Sequence, residues 1–221
     1  MNRKWLKTLI IGLLSCVAAY LLLISSTVAA PPPGNDGYGN QSCGILDRLL
    51  KERTIFLSGA IDDDMSNSVV ARLLYLDSLN SKQPIFLYIN SPGGSVSAGL
   101  AIYDTMQAIQ SPIYTISFGL TASAAALILA GGKAGYRMSL PSARIMIHQP
   151  LLGKSQGNSE TEMRELAWMR DYLSHLLSNL TGQPIDKIKR DTQQDFFMSA
   201  SEAQKYGIID TVINKSQLPS Y

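Results

Sequence analysis

Apolar runs and amphipathic stretches alternate along the middle of the chain. Four short runs rich in β-branched and aromatic residues favour strands. They are residues 54–57, 85–89, 113–118 and 144–147. Because the run at 85–89 is apolar throughout, it is typical of a strand buried on both faces. Repeated β-α units with such strands predict an α/β fold, in which helices flank a mostly parallel sheet.

The stretches between these strands carry apolar residues at steps of three and four, which predicts helices with one buried face. Ser66 is the expected N-cap of the first helix. Its apolar face is Val69, Leu73, Leu76 and Leu79. The inward residues of the second helix are Val96, Leu100, Tyr103 and Met106. The third helix opens in the run 119–126 and continues through Leu127 and Leu129 to Gly131.

A longer helix is predicted over residues 161–180, because its leucines and one methionine form a single apolar stripe. The stripe is Leu166, Met169, Leu173, Leu176, Leu177 and Leu180. Residues 181–184 read Thr-Gly-Gln-Pro and end this helix. A short helix at 201–206 and a strand at 208–213 complete the expected elements.

The first thirty residues differ in character from the rest. Residues 9–30 carry no charge and follow Arg3, Lys4 and Lys7. At about 1.5 Å per residue, a helix of this length is sufficient to cross a bilayer core of roughly 30 Å. Residues 1–30 are therefore expected to be a signal, an anchor or a pro-segment, with membrane contact possible through residues 9–30. The Pro/Gly-rich residues 31–43 read as a linker or axial segment, and residues 44–216 as the folded domain.

Composition removes several classes of function. The net charge is +2 and no Lys/Arg block is dense, which argues against nucleic-acid binding. Two cysteines, Cys16 and Cys43, provide neither a disulfide framework nor metal-ligand spacing. No lysine follows the glycines of the run 90–95, so a phosphate-binding loop and ATP binding are not expected. We expect no metal and no cofactor.

Three weak chemical signals each follow a predicted strand. Gly93 and Gly94 allow a bare backbone N–H to face a ligand, although alone they would read as a β-α turn. Ser123 lies among small residues in the run 119–126, where a sharp turn exposes a side chain, although alone this run favours a tightly packed helix start. His148 directly follows the run 144–147, and the end of a strand is a common place for a structural histidine.

The conjunction of these signals is much less common by accident than any one of them. Parallel strands point their carboxyl ends to one edge of a sheet, where sites of open α/β folds gather. A serine becomes a useful nucleophile when an imidazole can take its proton. The chain has only two histidines, and the other, His175, lies in the long helix and is expected at its surface or at an interface. Ser123 and His148 are therefore the expected nucleophile and base.

Several longer motifs are recognisable. They are the runs 88–95 (YINSPGGS), 119–126 (GLTASAAA), 146–150 (MIHQP), 191–196 (DTQQDF) and 201–207 (SEAQKYG), together with Leu140-Pro141. This pattern resembles the proteolytic subunits of the Clp protease, over residues 49–212. The resemblance implies a crotonase-like α/β fold with a protruding helical handle.

The resemblance also implies roles for five residues. Ser123 would be the nucleophile, His148 the general base and Asp195 the acid that orients the imidazole. Backbone N–H groups of Gly94 and Ala124 would form the oxyanion hole. The residues alone do not select the acid, because three other carboxylates are equal candidates by composition. These are Asp186, Asp191 and Asp210.

The implied function is that of a serine endopeptidase subunit. Such subunits form stacked seven-membered rings, homomeric or mixed, and hydrolyse unfolded polypeptides delivered by an AAA+ ATPase. The implied location is the cytoplasm or an organelle stroma, whereas the apolar N-terminus favours a membrane-anchored or exported protein. Three alternatives stay open: a non-catalytic subunit of a mixed ring, a membrane-anchored signal-peptide peptidase with a serine-lysine dyad, and an acyl-CoA enzyme of the same fold.

The chain departs from the family pattern in several places. Thr121 stands where alanine is usual, and Ala124 where methionine is usual. Both are expected to change pocket size more than chemistry, and so to alter peptide preference. The long helix is about one turn shorter than usual, which alters the expected ring-to-ring contact, and residues 31–43 lack the usual axial-loop pattern.

Overall fold

The computed structural model describes residues 42–151 and 159–213. Within these ranges, seven helices and seven strands form the expected α/β fold. The helices are α1 (Ser42–Lys51), α2 (Asp63–Leu79), α3 (Val96–Ala108), α4 (Ala124–Ala130), α5 (Glu160–Thr181), α6 (Ile185–Asp191) and α7 (Ala200–Tyr206). The strands are β1 (Thr54–Ser58), β2 (Ile85–Ser91), β3 (Ile113–Ala122), β4 (Arg137–Ser139), β5 (Arg144–Ile147), β6 (Phe196–Ser199) and β7 (Thr211–Val212).

The seven described strands form one sheet, in which five pairings are parallel and one is antiparallel. The main path is β1-β2-β3-β4-β7. The long strand β3 pairs with β4 through its first half and with β5 through residues 120–122. Strand β6 adds to the other side of β5 and is antiparallel to it. The carboxyl ends of β2, β3 and β5 therefore lie side by side.

The predicted strands are confirmed in place, but several boundaries were wrong. The strand predicted at 113–118 continues to Ala122, because residues 120–122 hydrogen-bond to β5 and the Asn90 side chain accepts from Leu120 N at 3.0 Å. The strand predicted at 208–213 is only the two residues of β7. Four elements had not been predicted: α1, β4, α6 and β6.

The start of α2 also differs from the prediction. Its N-cap is Asp62, whose carboxylate accepts from Met65 N at 2.8 Å. Ser66 is instead buried inside the helix, and its hydroxyl donates to Ala98 O of α3 at 2.9 Å. Leu79, expected to face inward, is 61% exposed because the helix ends there.

One large apolar core lies between the sheet and the helices that cover it. Every residue of α4 is buried, and the buried face of α2 is Val69, Leu73 and Leu76. In α3, Tyr103 and Met106 are buried as expected, whereas Val96 and Leu100 are only half-buried. The long helix α5 extends the predicted range by one residue at each end and packs Leu166 and Leu177 inward.

The chain divides into two units, Met1–Cys43 and Gly44–Tyr221. The expected signal, anchor or pro-segment at residues 1–30 lies outside the described residues, as does the predicted linker up to residue 41. Among the helices of residues 42–151 and 159–213, none has the length and apolar character needed to cross a bilayer.

Candidate active site

Ser123 occupies a sharp turn between β3 and α4. Its φ of 57° and ψ of −125° belong to a region that residues other than glycine rarely adopt. The turn is held on both sides, because Ser123 N donates to Met146 O at 2.9 Å and Ser123 O accepts from Ala126 N at 2.9 Å. This geometry turns the hydroxyl away from the sheet and leaves it half-buried.

His148 follows β5 directly and lies beside Ser123. Its Nε2 is 2.9 Å from Ser123 Oγ. The two residues meet because β5 pairs with the last residues of β3, so both strand ends reach the same edge of the sheet. The convergence expected from the sequence thus brings the hydroxyl and the imidazole into hydrogen-bond contact.

Asp195 reaches the same place from the opposite direction. In the antiparallel pair of β5 and β6, Ile147 stands opposite Phe196. The residue after Ile147 and the residue before Phe196 are therefore neighbours, and Asp195 Oδ1 is 3.1 Å from His148 Nδ1. Sequence patterns missed β6, although the capping box of Ser199 and Glu202 that ends it was a usable signal.

The other three carboxylates considered from the sequence do not meet the imidazole in the described contacts. Asp186 is exposed in the first turn of α6. Asp191 binds Lys187 and Tyr206. Asp210 pairs with Arg137 at 2.6 Å. Burial opposes ionisation of Asp210, but the hydrogen bonds and charge of Arg137 outweigh it and hold its pKa below the usual range.

Two backbone N–H groups, those of Gly94 and Ala124, belong to the two segments that meet at the serine turn. Gly94 forms a parallel bridge with Ile61, in which Ile61 N donates to Gly93 O and Ser95 N donates to Ile61 O. Since successive N–H groups of an extended segment alternate in direction, the Gly94 N–H points away from Ile61. The Ala124 N–H is in the first position of α4, where helical N–H groups have no intrahelical acceptor.

Gly93 lies against the serine turn itself. Its φ is +89°, and a Cβ placed there would be 2.7 Å from both Ser123 Cβ and Ala122 O. Glycine is thus the residue that lets the β2–α3 connection approach the serine turn this closely.

A small cavity of about 40 Å³ opens beside the hydroxyl and is mainly apolar. Its lining is Val96, Ser123, Ala124, Leu127, His148, Pro150, Leu173 and Leu177. Ala124 lies in this wall, as expected. The same expectation for Thr121 was wrong, because Thr121 is fully buried in the sheet and its Oγ1 donates to Ile89 O at 3.2 Å.

The acid of this arrangement is its least buried member. The Asp195 side chain is 59% exposed and that of His148 is 22% exposed. In residues 42–151 and 159–213, no three His, Cys, Asp or Glu side chains are placed to hold a metal ion. A serine hydroxyl, an imidazole and a carboxylate in one hydrogen-bonded line are the arrangement that serine hydrolases share.

Comparison with known proteins narrows this class. The family model described as Clp protease matches residues 37–216. A curated relative, ATP-dependent Clp protease proteolytic subunit 3 of Synechococcus sp. (strain CC9902), is 53% identical over 173 residues, which are 77% of this chain and 86% of that protein. The chain belongs to the Clp protease family. It is accordingly a serine-type endopeptidase with the crotonase-like fold of that family, and α5 is its helical handle.

The contact of Gly93 with the serine turn leads to a test with a matched control. Gly135 has almost the same φ, +88°, but nothing lies within 4 Å of the place where its Cβ would be. Gly135→Ala should therefore cost only about 1–2 kcal/mol of backbone strain. Gly93→Ala carries the same strain and also displaces Ser123, so peptide hydrolysis should fall by about 100-fold or more.

Denaturant unfolding and hydrolysis of a short fluorogenic peptide measure the two effects. Equal activities of Gly93→Ala and Gly135→Ala would contradict the proposed dependence of the serine turn on Gly93.

Proposed function

We propose that Ser123, His148 and Asp195 are the catalytic triad of this peptidase subunit. The observation that carries the proposal is the continuous line of hydrogen bonds, 2.9 Å from Oγ to Nε2 and 3.1 Å from Nδ1 to Oδ1. The backbone N–H groups of Gly94 and Ala124 are the proposed oxyanion hole. Because both donors belong to the backbone, alanine at position 124 is compatible with the hole.

In the proposed reaction, Ser123 Oγ attacks the carbonyl carbon of a peptide while its proton passes to His148 Nε2. The electron pair of the carbonyl moves onto oxygen, and the two N–H groups stabilise that charge. Asp195 holds the imidazole in one tautomer and stabilises its protonated form. The C–N bond then breaks as Nε2 returns the proton to the leaving amine, and water hydrolyses the acyl-enzyme with His148 as base.

The proposed substrates are unfolded polypeptides that enter a closed proteolytic chamber. The Synechococcus relative is named as the proteolytic subunit of an ATP-dependent protease. By this similarity, the chain assembles with copies of itself or with related subunits, in rings of seven stacked in pairs. A partner AAA+ ATPase would unfold and deliver the substrate. Such a partner requires ATP, which favours the cytoplasm or an organelle stroma over the exported location.

In a serine-lysine peptidase, a lysine amine rather than an imidazole would take the proton of the serine. The described contact of Ser123 Oγ is the imidazole of His148, which favours the triad. A non-catalytic ring subunit, or an acyl-CoA enzyme of the same fold, would have no use for the aligned hydroxyl, imidazole and carboxylate.

Removing the nucleophile is the first test. Ser123→Ala should lower kcat for a short peptide on the order of 10⁶-fold, because no side chain is left to form the acyl-enzyme. Ser78→Ala removes an exposed hydroxyl of α2 whose described bond is to Tyr75 O, and should leave kcat unchanged. Both variants are measured as assembled full-length protein, with a fluorophosphonate probe as a second readout. Labelling of the Ser123→Ala variant at the wild-type rate would overturn the assignment.

The two histidines offer a second matched pair. His148→Gln should lose nearly all activity, since the proton acceptor is gone. His175→Gln should change kcat less than about twofold, because the His175 side chain is 61% exposed on α5, with Nε2 3.6 Å from Asp171 Oδ2, and does not line the cavity beside Ser123. Measurement of kcat/KM from pH 5 to pH 9 separates them. Activity retained in His148→Gln would favour the serine-lysine alternative.

A further inference from the structure

The position of Asp195 is set by its backbone, because most of its side chain faces solvent. The imidazole is its described side-chain contact. An exposed carboxylate held by a single partner is free to take other rotamers unless the chain around it is fixed. Asp195 lies at the end of a short connection, residues 192–195, between α6 and β6. The contacts that fix residues 192–195 therefore determine the direction of the Asp195 side chain.

The start of the connection is tied to the histidine loop and to α6. Thr192 is buried, and its hydroxyl donates to Ile188 O at 2.8 Å. The carbonyl of Thr192 accepts from Gln149 N at 2.7 Å. The residue after His148 is thus bonded to the residue three before Asp195.

Both sides of the connection also meet one buried side chain, Tyr206 of α7. Its hydroxyl donates to Asp191 Oδ2, on the last residue of α6, at 2.7 Å. Its ring packs on Phe196, the residue directly after Asp195, with ring centroids 5.7 Å apart. Tyr206 therefore holds the chain just before and just after the connection that carries the acid.

Lys187 completes this cluster. Its ammonium also bonds Asp191 Oδ2, and it lies 4.3 Å from the centroid of the Tyr206 ring. Burial opposes ionisation of Asp191, but hydrogen bonds from Lys187 and Tyr206 outweigh it and keep its pKa below the usual value. Burial raises the pKa of Tyr206, and Asp191 raises it further, so the phenol stays a hydrogen-bond donor at neutral pH.

We propose that Tyr206 is a positioning residue for Asp195, acting through its hydroxyl on Asp191 and its ring on Phe196. The inference rests on the proposed role of Asp195 as the acid that orients His148. Tyr206 touches none of the three catalytic groups in the described contacts. Its effect on the reaction passes through the backbone of residues 192–196.

Tyr206→Phe removes the hydroxyl and keeps the ring. In the assembled full-length protein, kcat for a short peptide should fall by about tenfold while KM changes less than about twofold. A role in stability alone would lower the amount of active protein, titrated with a fluorophosphonate, and leave kcat per active subunit unchanged.

Tyr114→Phe is the matched control. It removes a phenol hydroxyl from a ring that stacks on Tyr136 on the sheet, away from the connection. It should leave kcat and KM unchanged. Asp191→Asn removes the charge that Tyr206 and Lys187 bind, and it should lower kcat as Tyr206→Phe does. If Tyr206→Phe does not fold, Asp191→Asn tests the proposal in its place.

A double-mutant cycle with Asp195→Asn decides whether Tyr206 acts through the acid. The rate of Ser123 phosphonylation by a fluorophosphonate is measured in each variant. Tyr206→Phe should slow labelling about tenfold in the wild-type background and have no further effect in the Asp195→Asn background. An equal effect in both backgrounds, or an unchanged kcat in Tyr206→Phe, would overturn the inference. A labelling rate in Asp195→Asn equal to that of the wild type would instead overturn the proposed triad.

Discussion

The register of β5 against its two neighbours is the constraint on which the site depends. On one side, Met146 stands opposite Ala122 of β3, which places His148 beside Ser123. On the other side, Ile147 stands opposite Phe196 of β6, which places Asp195 beside the same imidazole. Because side chains alternate between the faces of a sheet, a slip of one residue in either pairing would turn one of these groups away. Burial of Ile145 and Ile147 against the core opposes such a slip.

The serine turn is strained, and its surroundings are built to hold it. A residue other than glycine in this backbone region costs on the order of 1–3 kcal/mol. The buried alanines of α4, the bond from Ser123 N to Met146 O and the close approach of Gly93 together leave the turn little room to relax. These contacts keep the hydroxyl beside the apolar cavity, where the proposed reaction brings a substrate carbonyl to the imidazole and the N–H groups.

Much of this site was predictable from sequence because the information is local or follows from parallel strands. The runs that form β2, β3 and β5 are apolar and β-branched. They are followed by Gly93 and Gly94, by Ser123 and by His148, residue types that are common in catalytic sites. Asp195 was not predictable from pattern alone, because its place comes from the antiparallel pairing of β6, a strand of only four residues. Spacing treats Asp186, Asp191, Asp195 and Asp210 alike. The prediction of Ser66 as the N-cap of α2 was wrong for a similar reason. Asp62 and Ser66 are both good N-cap residues, and only the packing of α2 on α3 buries Ser66.

A structure of the assembled protein after reaction with a peptidyl fluorophosphonate tests the central claim most directly. We expect phosphorus bonded to Ser123 Oγ, with its oxygen about 2.7–3.1 Å from the N atoms of Gly94 and Ala124. The imidazole of His148 should lie between Ser123 Oγ, which carries the phosphorus, and the Asp195 carboxylate. Phosphorus on another residue, or an oxygen that faces neither N–H, would contradict the proposed reaction.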